Sequence, residues 1–215
     1  QTDGVINCGV PERPARPSLA SPPTVVFAGR LVWEKGIDVL VRAFVQVKAH
    51  CPEAQLMIAG DGPERDRINH QIEQLGLSES ITLPGHLPRS EMEEHFNQAW
   101  VQVVPSRWAE PFGMVAAEGM MRGTAVVASA SGGLLEVVQN GETGLLVPPG
   151  AVDALAQALL TILGDRALAE KMGQAGRKIA LARYSEAVFV DQFIHQYETL
   201  LGKPALIDRR QAHVV

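Results

Sequence analysis

The feature that most constrains this chain is an alternation of two hydrophobic periods. Between residues 24 and 147, short unbroken apolar runs trade places with longer stretches in which apolar residues recur every three or four positions. Residues 24–28 (TVVFA), 55–59 (QLMIA), 81–83, 101–104, 125–128 and 145–147 read as strands. Runs this short, without polar alternation, suit strands buried on both faces. Helical spacing is predicted over residues 37–49, 63–75, 89–98, 111–121 and 134–138. From Val152 onward the pattern is helical only, with breaks near Gly164-Asp165 and Tyr184-Ser185. Strand–helix alternation implies a parallel sheet whose crossovers lie on both faces. The expected fold is therefore α/β: a doubly wound parallel sheet of about six strands followed by C-terminal helices.

In such a sheet, ligands bind at the carboxyl ends of the strands. That singles out the loops at residues 29–36, 60–63, 84–88, 105–113 and 129–133. In the first, Arg30 follows a strand and Lys35 precedes a helix. Arg as a bidentate fork and Lys as a point charge can clamp a diphosphate. A solvated basic turn explains the same two residues when they are taken alone. In the fourth loop, Glu110 stands before a helix, and Glu118 shares a helix face with Met114. Carboxylates accept bonds from paired sugar hydroxyls, while the free N–H groups of a helix start favour anions. The bland alternatives are an acid at a helix N-terminus for Glu110 and an i,i+4 pair with Arg122 for Glu118. Gly113 lets a ligand approach the backbone, and the Gly132-Gly133 pair offers the same opening for a phosphate or sugar. Trp108 is expected to pack its own loop.

Several classes are disfavoured. The net charge of −5 argues against a nucleic-acid partner. No Asp-x-Asp suggests a carboxylate-held metal, and no metal or cofactor is expected. No GxGxxG opens the first helix, and neither GxxxxGK[ST] nor GxSxG occurs. The two cysteines, Cys8 and Cys51, have no ligand spacing and read as free thiols of a cytoplasmic protein. No apolar stretch is long enough for a transmembrane helix, and peripheral membrane contact stays open. Residues 1–23 hold five prolines and read as an extended lead-in. Residues 24–200 form the expected domain and 201–215 a tail. The start at Gln1 reads as that of a fragment.

Four segments in order, VVFAGRLVWEKGIDVLVRAF, LMIAGDGPE, EPFGMVAAEGMMRG and SGGLLEVVQNGETGLLVPPG, carry a resemblance. The chain resembles the C-terminal, donor-binding domain of retaining glycosyltransferases of the GT-B fold, family 4, from about residue 5 to 200. The resemblance implies a Rossmann-like domain that binds a nucleotide-diphosphate sugar, from which a hexose passes to an acceptor hydroxyl without a metal. It implies that Arg30 and Lys35 bind the diphosphate and that Glu110, first of the E-x7-E pair, meets the hexose hydroxyls. Glu118 would hold the ribose. The backbones of Phe112, Gly113 and Met114 would face hexose and phosphate, and Gly85, His86 and Leu87 would read the base. EGMM and GGLLE depart from the common EAMA and GGLPE. The lead-in matches the crossing from an N-terminal acceptor domain absent from this chain, so the fragment is expected to be inactive alone. A non-catalytic nucleotide-sugar module, another GT-B enzyme such as an epimerase or phosphorylase, and a dinucleotide-binding domain are the alternatives.

Overall fold

The computed structural model describes residues 6–20 and 22–202. The beginning and end of the chain assigned to lead-in and tail, residues 1–5 and 203–215, and Ser21 lie outside the described residues. Six strands form one sheet: β1 (Thr24–Ala28), β2 (Gln55–Ala59), β3 (Ile81–Gly85), β4 (Val101–Val104), β5 (Ala125–Ser129) and β6 (Gly144–Val147). Every pairing is parallel, and the order is β3-β2-β1-β4-β5-β6. The order reverses between β1 and β4, which opens a crevice at their carboxyl ends.

The period of two along each strand decides which core a residue enters. In β5, Ala125 and Val127 join the large cluster with α1 (Ile37–His50) and α6 (Val152–Leu163). Val126 and Ala128 join the opposite cluster with α4 (Met114–Arg122), α5 (Leu134–Val137) and the end of α7 (Arg166–Arg183). A third, smaller cluster packs α3 (Arg89–Phe96) on β1 and β2 through Phe96, Val26 and Ala59. Helix α2 (Arg65–Gln74) leads from β2 to β3, and α8 (Glu186–Leu200) closes the described chain. The breaks read before α7 and α8 are capping residues: the Asp165 carboxylate accepts from Leu168 N and the Ser185 hydroxyl from Val188 N.

Several boundaries differ from the sequence reading. Strand β3 runs through Pro84, because β3 is an edge strand and the missing N–H leaves no ladder bond unmade. Helix α4 starts at Met114 rather than near Pro111, because Gly113 is left-handed at φ 101°. A 3-10 turn at Trp33–Lys35 occupies the loop after β1. Among the described residues, no helix is long and apolar enough to cross a membrane.

Candidate functional site

The site grows from two loops forced together at the sheet's crevice. Gly36 is left-handed at φ 66°, and a Cβ there would collide with the Pro105 carbonyl. Only glycine lets the turn after β1 lie on the loop after β4. That contact is clasped from the outside. Arg107 makes a bidentate pair with Asp38, at 2.5 Å to Oδ1 and 2.7 Å to Oδ2. Its backbone N–H donates to the Glu34 carbonyl at 2.8 Å, and its guanidinium stacks over the Trp33 ring at 4.9 Å. Partial burial alone would raise the Asp38 pKa, but the Arg107 bond and charge, helped by Arg42 and Arg67, hold it below the usual carboxylate value. The Asp38 bond raises the pKa of Arg107 in return.

With the loops joined, Lys35 meets Glu110. The Lys35 ammonium lies 2.6 Å from Glu110 Oε1. The same oxygen accepts from the Ser106 hydroxyl at 2.5 Å, and Ser106 is fully buried. Glu110 is only 9% exposed, so its charge is compensated by two donors rather than by water. Its backbone is fixed from a third side, where Gly133 N–H donates to the Glu110 carbonyl at 2.7 Å.

On the Cβ side of the glycine pair lies backbone. A Cβ on Gly132 would strike the backbone of Ala109 and Glu110, and one on Gly133 would lie 2.6 Å from Phe112 Cα. The loop after β5 is thus pressed on the segment that carries Glu110. A Cβ on Gly113 would lie 2.6 Å from Leu134 Cδ2, so α5 also sets where α4 begins. The first N–H groups of α4 have no carbonyl behind them within the helix.

These contacts enclose a cleft of about 250 Å³ lined by Phe27, Ala28, Lys35, Ser106, Glu110 and residues Pro111 to Val115. It sits between the ends of β1 and β4, at the reversal of strand order. The volume is somewhat below the roughly 300 Å³ at which ligand clefts usually begin. Cys8 also lines it, an exposed thiol contributed by the lead-in, which its place in the sequence did not reveal.

The structure therefore brings Lys35, Glu110, Phe112, Gly113 and Met114 into one cleft. Arg30 is exposed at the loop after β1 and is not among the lining residues. Glu118 lines a separate hollow of about 240 Å³ farther along α4, with Pro11, Arg13, Met92, Glu93 and Arg122. Its suggested i,i+4 partner is engaged elsewhere: Arg122 makes two bonds of 2.9 Å to Glu93 and lies over the Phe96 ring. Gly85, left-handed at φ 82°, ends β3 and its carbonyl accepts from Gly60 N–H at 2.8 Å. His86 is exposed, whereas the Leu87 side chain joins the cluster around Phe96. Trp108 is half exposed, at 49%, while Ser106 in the same loop is fully buried. Among the described residues, no group of three or more His, Cys, Asp or Glu side chains is placed to hold a metal ion.

Comparison with known proteins agrees with this architecture. Sucrose-phosphate synthase from Thermosynechococcus elongatus superposes with a TM-score of 0.82 at 36% identity, over 92% of this chain and 52% of that one. HepE from Anabaena, solved with UDP-glucose, gives a TM-score of 0.76 at 26% identity, over 83% of this chain and 49% of that one. A GDP-mannose-dependent alpha-(1-6)-phosphatidylinositol monomannoside mannosyltransferase from Mycolicibacterium smegmatis is 36% identical over 172 residues, 77% of this chain and 45% of that protein. The chain spans about half the length of these relatives. The family model of glycosyl transferases group 1 matches residues 12–179. With that match over most of its length, on a six-stranded parallel sheet of the expected kind, the chain belongs to the group 1 glycosyl transferases and has the fold of the C-terminal half of a GT-B enzyme.

Proposed function

We propose that this chain is the donor-binding domain of a retaining hexosyltransferase. It holds a nucleotide-diphosphate sugar while an N-terminal domain, outside this chain, presents the acceptor hydroxyl. Residues 24–200 hold the donor site in this reading, with the described lead-in packed against them. The observation that carries it is the cleft at the strand-order reversal, where a cation, a buried carboxylate and a glycine-led helix start share one wall. Relatives that act on GDP-mannose or were solved with UDP-glucose support the donor class.

The roles follow from the chemistry of each group. Departure of the nucleoside diphosphate develops negative charge on its terminal phosphate. Lys35 in the cleft and the α4 N-terminus meet that charge, with Arg30 joining them from the exposed loop after β1, and a fixed, enclosed positive end lowers such a barrier by about 3 kcal/mol. No metal ion is needed where these stand. Glu110 accepts from the hexose hydroxyls, and the backbone of Phe112, Gly113 and Met114 lies along hexose and phosphate. Glu118, farther down α4, accepts from the ribose. Gly85, His86 and Leu87 read the base through backbone atoms, which suits a Leu87 side chain already committed to the core. The chain alone binds donor and transfers nothing.

Calorimetric titration with UDP, GDP and ADP, and with UDP-glucose, GDP-mannose and ADP-glucose, tests the reading. One nucleotide should bind clearly better than the others. Glu118→Ala should weaken that bare nucleotide ten- to hundredfold, the loss of a charge-assisted bond of about 1.5–3 kcal/mol. Glu110→Gln should bind the bare nucleotide at least as well as wild type, because it frees Lys35, and should weaken its sugar ester. Equal binding of every nucleotide and sugar ester by wild type and both variants would sink the assignment.

A further inference from the structure

Lys35 and Glu110 are bonded to each other, yet the reading above sends one to the diphosphate and the other to the hexose. The two partners of Glu110 differ in how firmly they are held. Lys35 is 27% exposed, on a flexible stem at the edge of the cleft. Ser106 is fully buried, and its hydroxyl reaches Glu110 Oε1 at 2.5 Å. That is a short O–H···O bond. Both donors fall on the same oxygen, and among the described residues no hydrogen bond reaches Oε2. A carboxylate has about four acceptor positions, so Oε2 retains capacity for a hydroxyl.

We propose that Ser106 is a positioning residue for donor recognition, resting on the reading of Glu110 as the hexose ligand. Its hydroxyl keeps the Glu110 carboxylate aimed after Lys35 has moved to the diphosphate. A diphosphate carries more charge than one carboxylate and draws the mobile ammonium from Glu110. The serine stays, because its one-carbon side chain is enclosed and its proton has the carboxylate as its acceptor. The backbone bond from Gly133 fixes the Glu110 main chain but leaves the side-chain torsions free. Ser106 is the fixed contact that sets them. Before donor arrives, the Lys35 pair also masks a carboxylate that would otherwise repel the incoming phosphates.

The test compares affinities within one protein. For the nucleotide that wild type binds best, dissociation constants are measured for the bare diphosphate and for its hexose ester, with a melting curve for every variant. Ser106→Ala should shift the ratio of the two constants about tenfold towards the bare diphosphate, with that diphosphate binding as in wild type. Ser106→Thr should return most of the shift. On a Glu110→Gln background, Ser106→Ala should change the ratio no further, because Ser106 acts through that carboxylate. An unchanged ratio in Ser106→Ala, while Glu110→Gln still alters it, overturns the role of Ser106 and leaves the donor reading standing. Wild type that binds neither ligand overturns both. If Ser106→Ala fails to fold, Ser106→Cys keeps the volume with a much weaker donor. Parallel loss of stability and of bare-diphosphate binding in that variant would make Ser106 structural and end the proposal.

Discussion

Asp38 touches no ligand in the proposed reading, yet the position of Lys35 depends on it. Its bidentate bond to Arg107 ties the first turn of α1 to the loop after β4, and the two side chains are 15% and 17% exposed. A pair half-way between surface and core contributes more than an exposed bridge and less than a buried one, about 1–2 kcal/mol. Asp38→Asn should lose that amount at neutral pH. The folded-state pKa of Asp38 is lowered, the Arg107 bond and charge outweighing the effect of burial. The unfolded chain therefore binds the proton more readily, and the stabilisation is fully present above the unfolded value of about 3.9. It disappears as pH falls from there through the folded value. Melting temperatures of wild type and Asp38→Asn should differ from pH 7 down to about pH 4 and converge only as pH falls further, through the lowered folded value. A gap that persists unchanged in acid would show that the two residues stabilise by packing rather than by charge.

At the scale of elements, strands were the most legible part of the chain. The central strands β1, β4 and β5 are buried on both faces, so their runs lack exposed polar alternation, whereas the edge strand β3 exposes Thr82 and Pro84 and was read two residues short. Lys35, Glu110 and Gly113 were legible because the loops at strand ends must gather at one rim. What failed depends on contacts between loops. The start of α4 is set by Gly113 against Leu134, and nothing near Gly113 in sequence shows that neighbour. Ser106 and Arg107 read as ordinary polar loop residues, and Asp38 lies 69 positions from the arginine it binds. Gly132 and Gly133 looked like an opening because a glycine pair looks the same whether ligand or backbone comes close. Two substitutions separate these causes. Gly133→Ala keeps an unstrained φ of −61° but drives a methyl against Phe112, so overpacking alone should cost about 1–3 kcal/mol. It should also displace Glu110 and weaken the nucleotide sugar. Gly141 is left-handed at φ 80° with open space around it, so Gly141→Ala should cost about 1 kcal/mol with no change in binding. Paired melting curves and titrations check both, and equal behaviour of the two variants would refute the packing role given to Gly133.

At the scale of the whole molecule, the proline-rich beginning belongs to the domain's architecture. Val10 pairs in parallel with Ser185: its N–H donates to the Tyr184 carbonyl at 2.7 Å, and its carbonyl accepts from Glu186 N–H at 3.1 Å. The segment then crosses the foot of α4. The Arg16 side chain, 3% exposed, donates to the Gly123 carbonyl and to Glu170, and Leu19 N–H donates to the other oxygen of Glu170. Trp100 reaches back with its indole N–H to the Ala20 carbonyl at 2.7 Å. Composition read this stretch as a lead-in without regular elements, and the periodicity of its few apolar residues was too weak to reveal that Val10 and Leu19 are core. Burial alone would raise the Glu170 pKa, but the Leu19 and Arg16 bonds hold it below the usual value. Arg16→Ala removes the cation and leaves the Gly123 carbonyl without its donor. Glu170 keeps some water, its side chain being 26% exposed, so the loss should fall short of a fully buried pair, about 2–3 kcal/mol. A chain starting at Pro22 should lose at least as much and also uncover α8 at Ser185. Denaturant midpoints measure both effects, and proteolysis should cut Arg16→Ala earliest between residues 6 and 20. If Arg16→Ala matches wild type in midpoint and in cutting, the segment only rests on the domain, and the donor-binding unit begins at β1.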